Sequence, residues 1–108
     1  MKDETINSAE KLWKEIKRKY VDRWEPSESD IEWLIKTVAD IKIGGRWIIP
    51  DVGVTFKKIG ENRLKLESIV TDDIVSAMIA IEKTRKVGIK AGIKVDIEKA
   101  ADYIIFHP

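Results

Sequence analysis

Apolar residues recur at steps of three and four through the first quarter of the chain, at Ala9, Leu12, Trp13, Ile16, Tyr20 and Trp24. That is the period of an α-helix, and it predicts one from about 8 to 23 with Ser8 as its N-cap. The opposite face is charged, with Glu10–Lys14 and Glu15–Lys19 spaced i,i+4, a pairing worth a few tenths of a kcal/mol each. The pattern breaks at Glu25-Pro26-Ser27, because proline disfavours helix in the residue before it. Ser29 and Glu32 have the spacing of a capping box, in which each side chain answers the other's free backbone N–H. Ile31, Leu34, Ile35, Val38, Ala39 and Ile41 then form the stripe of a second helix, which Gly44-Gly45 is expected to stop.

The period changes to two in the middle of the chain. Val52, Val54 and Phe56 alternate with Gly53, Thr55 and Lys57, and Leu64 and Leu66 alternate with Arg63, Lys65 and Glu67. With a turn at Ile59-Gly60-Glu61-Asn62 this reads as a β-hairpin. Pairing Phe56 with Leu64 and Val54 with Leu66 places all four on one face, so burial sets the register. Arg46-Trp47-Ile48-Ile49 reads as a short strand ended by Pro50.

A third helix is predicted from Thr71-Asp72-Asp73, where a cap hydroxyl is followed by acids that suit the positive end of a helix dipole. Ile74, Val75 and the run Ala77–Ile81 are apolar nearly all round, which marks a helix buried on more than one side. From Val87 to Val95 every odd position is apolar and every even one is Gly or Lys. That alternation favours a strand, while an extension of the third helix to about residue 91 is the alternative. Asp96 is placed to cap a last short helix carrying Ile97, Ala100, Ala101, Ile104 and Ile105. The expected fold is one α+β domain over 1–108: two N-terminal helices, a small antiparallel or mixed sheet centred on a β-hairpin, and C-terminal helices packed on the sheet.

Composition refines this picture. Charged residues make up 36% of the chain against a usual value of about 25%. There are 18 Ile against 4 Leu, 15 Lys against 5 Arg, two Asn, no Gln and no Cys. A charge-dense surface with few amides and thiols suits high temperature, so a heat-adapted chain is expected. The polar start Met1-Lys2-Asp3-Glu4 lacks the apolar run of a signal peptide, and no stretch approaches the ~20 apolar residues of a membrane span. A cytoplasmic location without membrane contact is expected.

Catalytic chemistry finds little to use. Without cysteine there is no thiolate nucleophile, disulfide or zinc–thiolate site. The one histidine, His107, stands next to the C-terminal residue, and a solvated tail is its plainer account. Asp72 and Asp73 are neighbours at a helix start, where capping explains them better than a shared ion. Asp51 reads as a turn residue. Gly44-Gly45-Arg46 precedes an extended segment, not the helix a phosphate cradle needs. No catalytic, metal or cofactor-binding residue is therefore nominated.

Net charge is +1, which argues against strong global attraction to phosphate, but the cations are unevenly spread. Lys83, Arg85 and Lys86 are read as complementing the dipole at the end of the third helix. Lys57, Lys58, Arg63 and Lys65 gather around the hairpin, Lys14, Lys17 and Arg18 lie on the charged face of the first helix, and Arg46 with Trp47 offers a stacking platform. These nine are the candidate RNA or DNA contacts. Trp33, Trp47, Ile48 and Ile49 are the candidate protein interface, since tryptophan is enriched in such surfaces. The leading expectation is a non-enzymatic binding or assembly module that forms a homo-oligomer, with nucleic-acid binding as the alternative.

Overall fold

Pro26 sets the first boundary. The computed structural model describes residues 2–97 and 104–106. Helix α1 spans Lys2–Tyr20 and α2 spans Glu28–Ala39, with the proline between them. Tyr20, expected on the buried stripe, is half exposed, and Val21 is buried in its place as the chain turns out of the helix. On the charged face Glu15 pairs with Arg18, one turn on, at 3.7 Å.

The capping box of α2 lies two residues earlier than predicted. Ser27, not Ser29, is the N-cap: its hydroxyl accepts from the Asp30 backbone N–H at 3.2 Å, and the Ser27 N–H donates to the Asp30 carboxylate at 2.9 Å. Both serines have an acid three residues on, but Ser27 directly follows the proline and holds the extended backbone that a cap requires, with ψ 164°. Helix α2 also ends sooner, at Ala39, leaving Ile41 outside it. The glycines serve the next turn instead, Gly44 with φ +93° and the Gly45 N–H bonded to the Lys42 carbonyl.

Strands β1 (Arg46–Ile49), β2 (Val54–Gly60) and β3 (Arg63–Thr71) form an antiparallel meander. The register of the hairpin differs from the expected one: Phe56 faces Leu66, Val54 faces Ile69 and Leu64 faces Lys58. The turn is tighter than predicted, closing on Gly60 and Arg63 around Glu61-Asn62, so the strands slide relative to the longer loop. Two register shifts absorb the difference, one of them placing Glu67 as an extra residue of β3. Gly53 opens β2 with φ +66° and takes the Val70 N–H on its carbonyl at 2.8 Å.

Helix α3 (Ile74–Ala91) is capped by Asp73, whose carboxylate accepts from the Ser76 backbone N–H and from the Ser76 hydroxyl. Thr71 is not the cap, since it closes β3. The ambiguous segment divides: α3 runs on to Ala91, Gly92 ends it at φ +73°, and only Lys94–Asp96 forms a strand, β4. Two glycines settle that outcome. Gly92 takes the left-handed cap conformation, and Gly88 lets the helix lie against the returning chain, where a Cβ would stand 2.6 Å from the Ile93 carbonyl oxygen.

Strand β4 pairs in parallel with the start of β3, and β5 (Ile104–Phe106) pairs in parallel with its end. The short terminal helix is thus corrected at Ile104 and Ile105, which belong to a strand, while Ala100 and Ala101 lie outside the described residues. The fold is α+β with a mixed sheet, in the order β1-β2-β3-β4 with β5 beside β3.

One face of the sheet is covered. Val54, Phe56, Leu64, Leu66 and Ile69 meet Leu34 and Val38 of α2 and Ala77, Ile81 and Val87 of α3 in one core. Helix α1 packs on α3, so it belongs to the helical layer. No described helix is long and apolar enough to cross a membrane.

Candidate functional site: the open sheet face and the β1 edge

Alternation along the strands sends every second side chain away from the helices. On β2 and β3 these include Lys57, Arg63 and Lys65, and on the flanking strands Arg46 and Lys94. Register makes them neighbours: Arg46 faces Lys57, Lys57 faces Lys65, and Arg63 faces Lys94. Glu67 and Asp96 are the carboxylates of the same face, Asp96 in register with Lys65. Arg46 grips Glu67 through two hydrogen bonds of 2.6 and 3.0 Å. Hydrogen bonding from that guanidinium holds the Glu67 carboxyl below its ordinary value.

Four of the nine predicted nucleic-acid contacts, Arg46, Lys57, Arg63 and Lys65, thus come together on one surface. The other five lie elsewhere. Lys14, Lys17 and Arg18 are on α1, in the layer on the far side of the sheet. Trp47 points into the helical side, where its ring stacks on Phe56 at 5.6 Å and meets Trp33 edge-on at 5.4 Å. It is no platform for a base on the open face.

Lys58 is buried at 6% exposure and serves the fold. It shares strand parity with Val54 and Phe56, so alternation drives its stem into the core. Its ammonium donates to the carbonyls of Val38 and Ile41, both at 2.7 Å, at the C-terminal end of α2. A cation there satisfies acceptors that a helix end leaves open. Lys86 does the same for α1, donating to the Val21 and Asp22 carbonyls at 3.0 and 2.9 Å. It therefore complements a neighbouring helix and not the end of its own, which lies further on. Lys83 sits over the Trp24 ring and Arg85 pairs with Glu82.

The predicted interface residues separate in the same way. Ile48 is 60% exposed on the open face and Trp33 is 57% exposed beside β1, whereas Trp47 and Ile49 pack against the core. β1 itself is an edge strand, paired only with β2 among the described strands.

Two shallow pockets lie in the helical layer. One of about 260 Å³ opens between Ile35, Ala39, Glu61 and Ala91, and one of about 200 Å³ between Trp24, Asp30, Trp33 and Lys83. In the second, Asp30 caps α2 and Lys83 sits on Trp24; in the first, the Lys58 ammonium is held by the Val38 and Ile41 carbonyls. Glu82, a buried carboxylate that sequence reading passed over, accepts from the Trp13 indole at 2.6 Å. Among the described residues no group of three or more His, Asp or Glu is placed to hold a metal ion. No protein-family model matches this chain, and no curated protein and no solved structure matches it either.

Proposed function

We propose that this protein is a non-enzymatic assembly module that works as a homodimer joined through its β1 edges. The observation that supports this is the open edge of β1, a run of Arg-Trp-Ile-Ile with no neighbour on its outer side among the described strands. The Lys58 backbone N–H donates to the Gly45 carbonyl across the β1–β2 ladder at 2.8 Å. By the alternation of antiparallel pairs, the backbone groups of Arg46 and Ile48 then face outward. An exposed edge of β-branched and aromatic residues is a template for another strand.

A two-fold axis through Ile48 brings that residue against its own copy and keeps the helical layers of both subunits on the same side. A stable interface buries about 1,200–2,000 Å², more than a four-residue strand pairing supplies. Trp33 beside β1 and Ile43 in the loop before it, both largely exposed, provide the additional apolar surface.

Sedimentation equilibrium from micromolar to millimolar protein tests this reading. A dimer is expected, and Ile48→Lys is expected to return it to monomer by setting two ammonium groups face to face, with the circular-dichroism spectrum of the fold retained and the melting temperature no longer dependent on protein concentration. A monomer throughout the range overturns the proposal.

A further inference from the structure

Side chains directly across a sheet ladder interact, and like charges there destabilise the pairing. The open face nevertheless sets Lys57 opposite Lys65, and Arg63 in register with Lys94. Among the described residues it holds five cations, with Arg46, against the two carboxylates Glu67 and Asp96, whereas the whole chain carries only +1. The remaining residues of the chain therefore sum to a net negative charge, although α1 carries a second cation cluster that includes Lys14, Lys17 and Arg18. Of the five, Arg46 is held by Glu67, and Lys65 lies beside Asp96.

We infer that this face binds the phosphate backbone of a duplex nucleic acid, without regard to base sequence. Repulsion between neighbouring cations is relieved when phosphates lie over them, so a local cost in the free protein becomes binding energy in the complex. Contacts to phosphate fix position and carry no sequence information by themselves. Single-strand binders add aromatic rings on which unpaired bases stack. Among the side chains described on this face there is none, because Trp47 and Phe56 both point into the helical side. A duplex, which keeps its bases stacked internally and shows its phosphates outward, is the occupant that suits a cation-rich face with no aromatic ring among its described side chains.

The probe is a labelled 20-base-pair DNA duplex, with its single strands and anionic lipid vesicles as comparisons, titrated with the full chain. Expected is binding to the duplex at about 50 mM salt that weakens by roughly three to four decades per decade of salt, as four phosphate contacts require. Lys57→Gln with Lys65→Gln should lower affinity by about tenfold or more and reduce that slope by about two. Lys14→Gln with Lys17→Gln, on the helical side, should leave both unchanged. The sheet-face variant loses the Lys57–Lys65 repulsion together with the attraction of these lysines to Glu67 and Asp96, so its melting temperature is measured beside the parent's and should stay close to it, which separates weakened binding from unfolding. Absence of duplex binding at low salt overturns the inference. So does tighter binding to single strands or vesicles, or an equal loss in the α1 variant. The dimer is measured independently by sedimentation, so either proposal can fail alone.

Discussion

The ammonium of Lys58 donates to the Val38 carbonyl at 2.7 Å from inside the core, tying the middle of β2 to the end of α2. Replacing it by Met keeps the stem but removes the ammonium from both the Val38 and Ile41 carbonyls, of which Val38 keeps the Ile41 backbone N–H at 3.2 Å. Lys58→Met is expected to cost about 1–3 kcal/mol, seen as a lowered midpoint in thermal or urea denaturation. Lys58→Glu should be worse, because it turns a carboxylate toward the negative end of a helix.

Glu82 is 4% exposed, and the Trp13 indole N–H reaches it across the α1–α3 contact at 2.6 Å. Trp13→Phe strands one oxygen of a buried carboxylate and should destabilise by about 1–3 kcal/mol beyond the lost ring area. Adding Glu82→Met to that variant should restore part of the loss, since replacing both partners removes the unsatisfied group. A double-mutant cycle on unfolding free energy measures the coupling.

Gly53 and Gly92 both have positive φ, +66° and +73°, but differ in what surrounds them. At Gly92 an added Cβ meets nothing within 4 Å, so Gly92→Ala should cost only the conformational penalty of about 1–2 kcal/mol. At Gly53 the same Cβ would drive into the Val70 carbonyl oxygen, so Gly53→Ala should cost well over that and disturb the β2–β3 pairing. Comparing the urea midpoints of the two variants checks the ranking.

Among the described residues three carboxyl groups are held below their ordinary values: Asp30 by the Ser27 backbone N–H, Glu67 by Arg46, and Asp73 by Ser76. A depressed folded pKa means that these groups stabilise the fold fully above the ordinary values, 3.8 for Asp and 4.5 for Glu. Their contribution is lost as pH falls through the lower, folded values. Melting temperature should change little from these groups between neutrality and pH about 5, and fall below it. In Asp73→Asn the acid-side fall should be shallower. None of the three is buried, so each effect is small and reduced by salt.

The elements of this fold follow from local patterns. A 3.6-residue stripe placed α1 and α2, and strict alternation placed β2 and β3, because apolar side chains seek one buried face whatever lies opposite. The basic residues of the open face could also be found in this way, since Arg63 and Lys65 alternate with Leu64 and Leu66. Lys58 was equally accessible to the same rule, through its parity with Val54 and Phe56, but a charge in the core becomes credible only once its acceptors are known.

Those acceptors lie 20 and 17 residues away in sequence, and the partner of Glu82 lies 69 away. Tertiary structure alone decided the helix that each lysine caps and the register of the hairpin, while the division of the segment after Val87 also rests on the local cap conformation of Gly92. It also separated the cations of α1 from those of the sheet. Periodicity reports which side of an element is buried, because that depends on nearest neighbours along the chain. Which elements share a layer, and which carbonyl a buried cation reaches, depends on contacts between segments far apart, and only packing chooses among them.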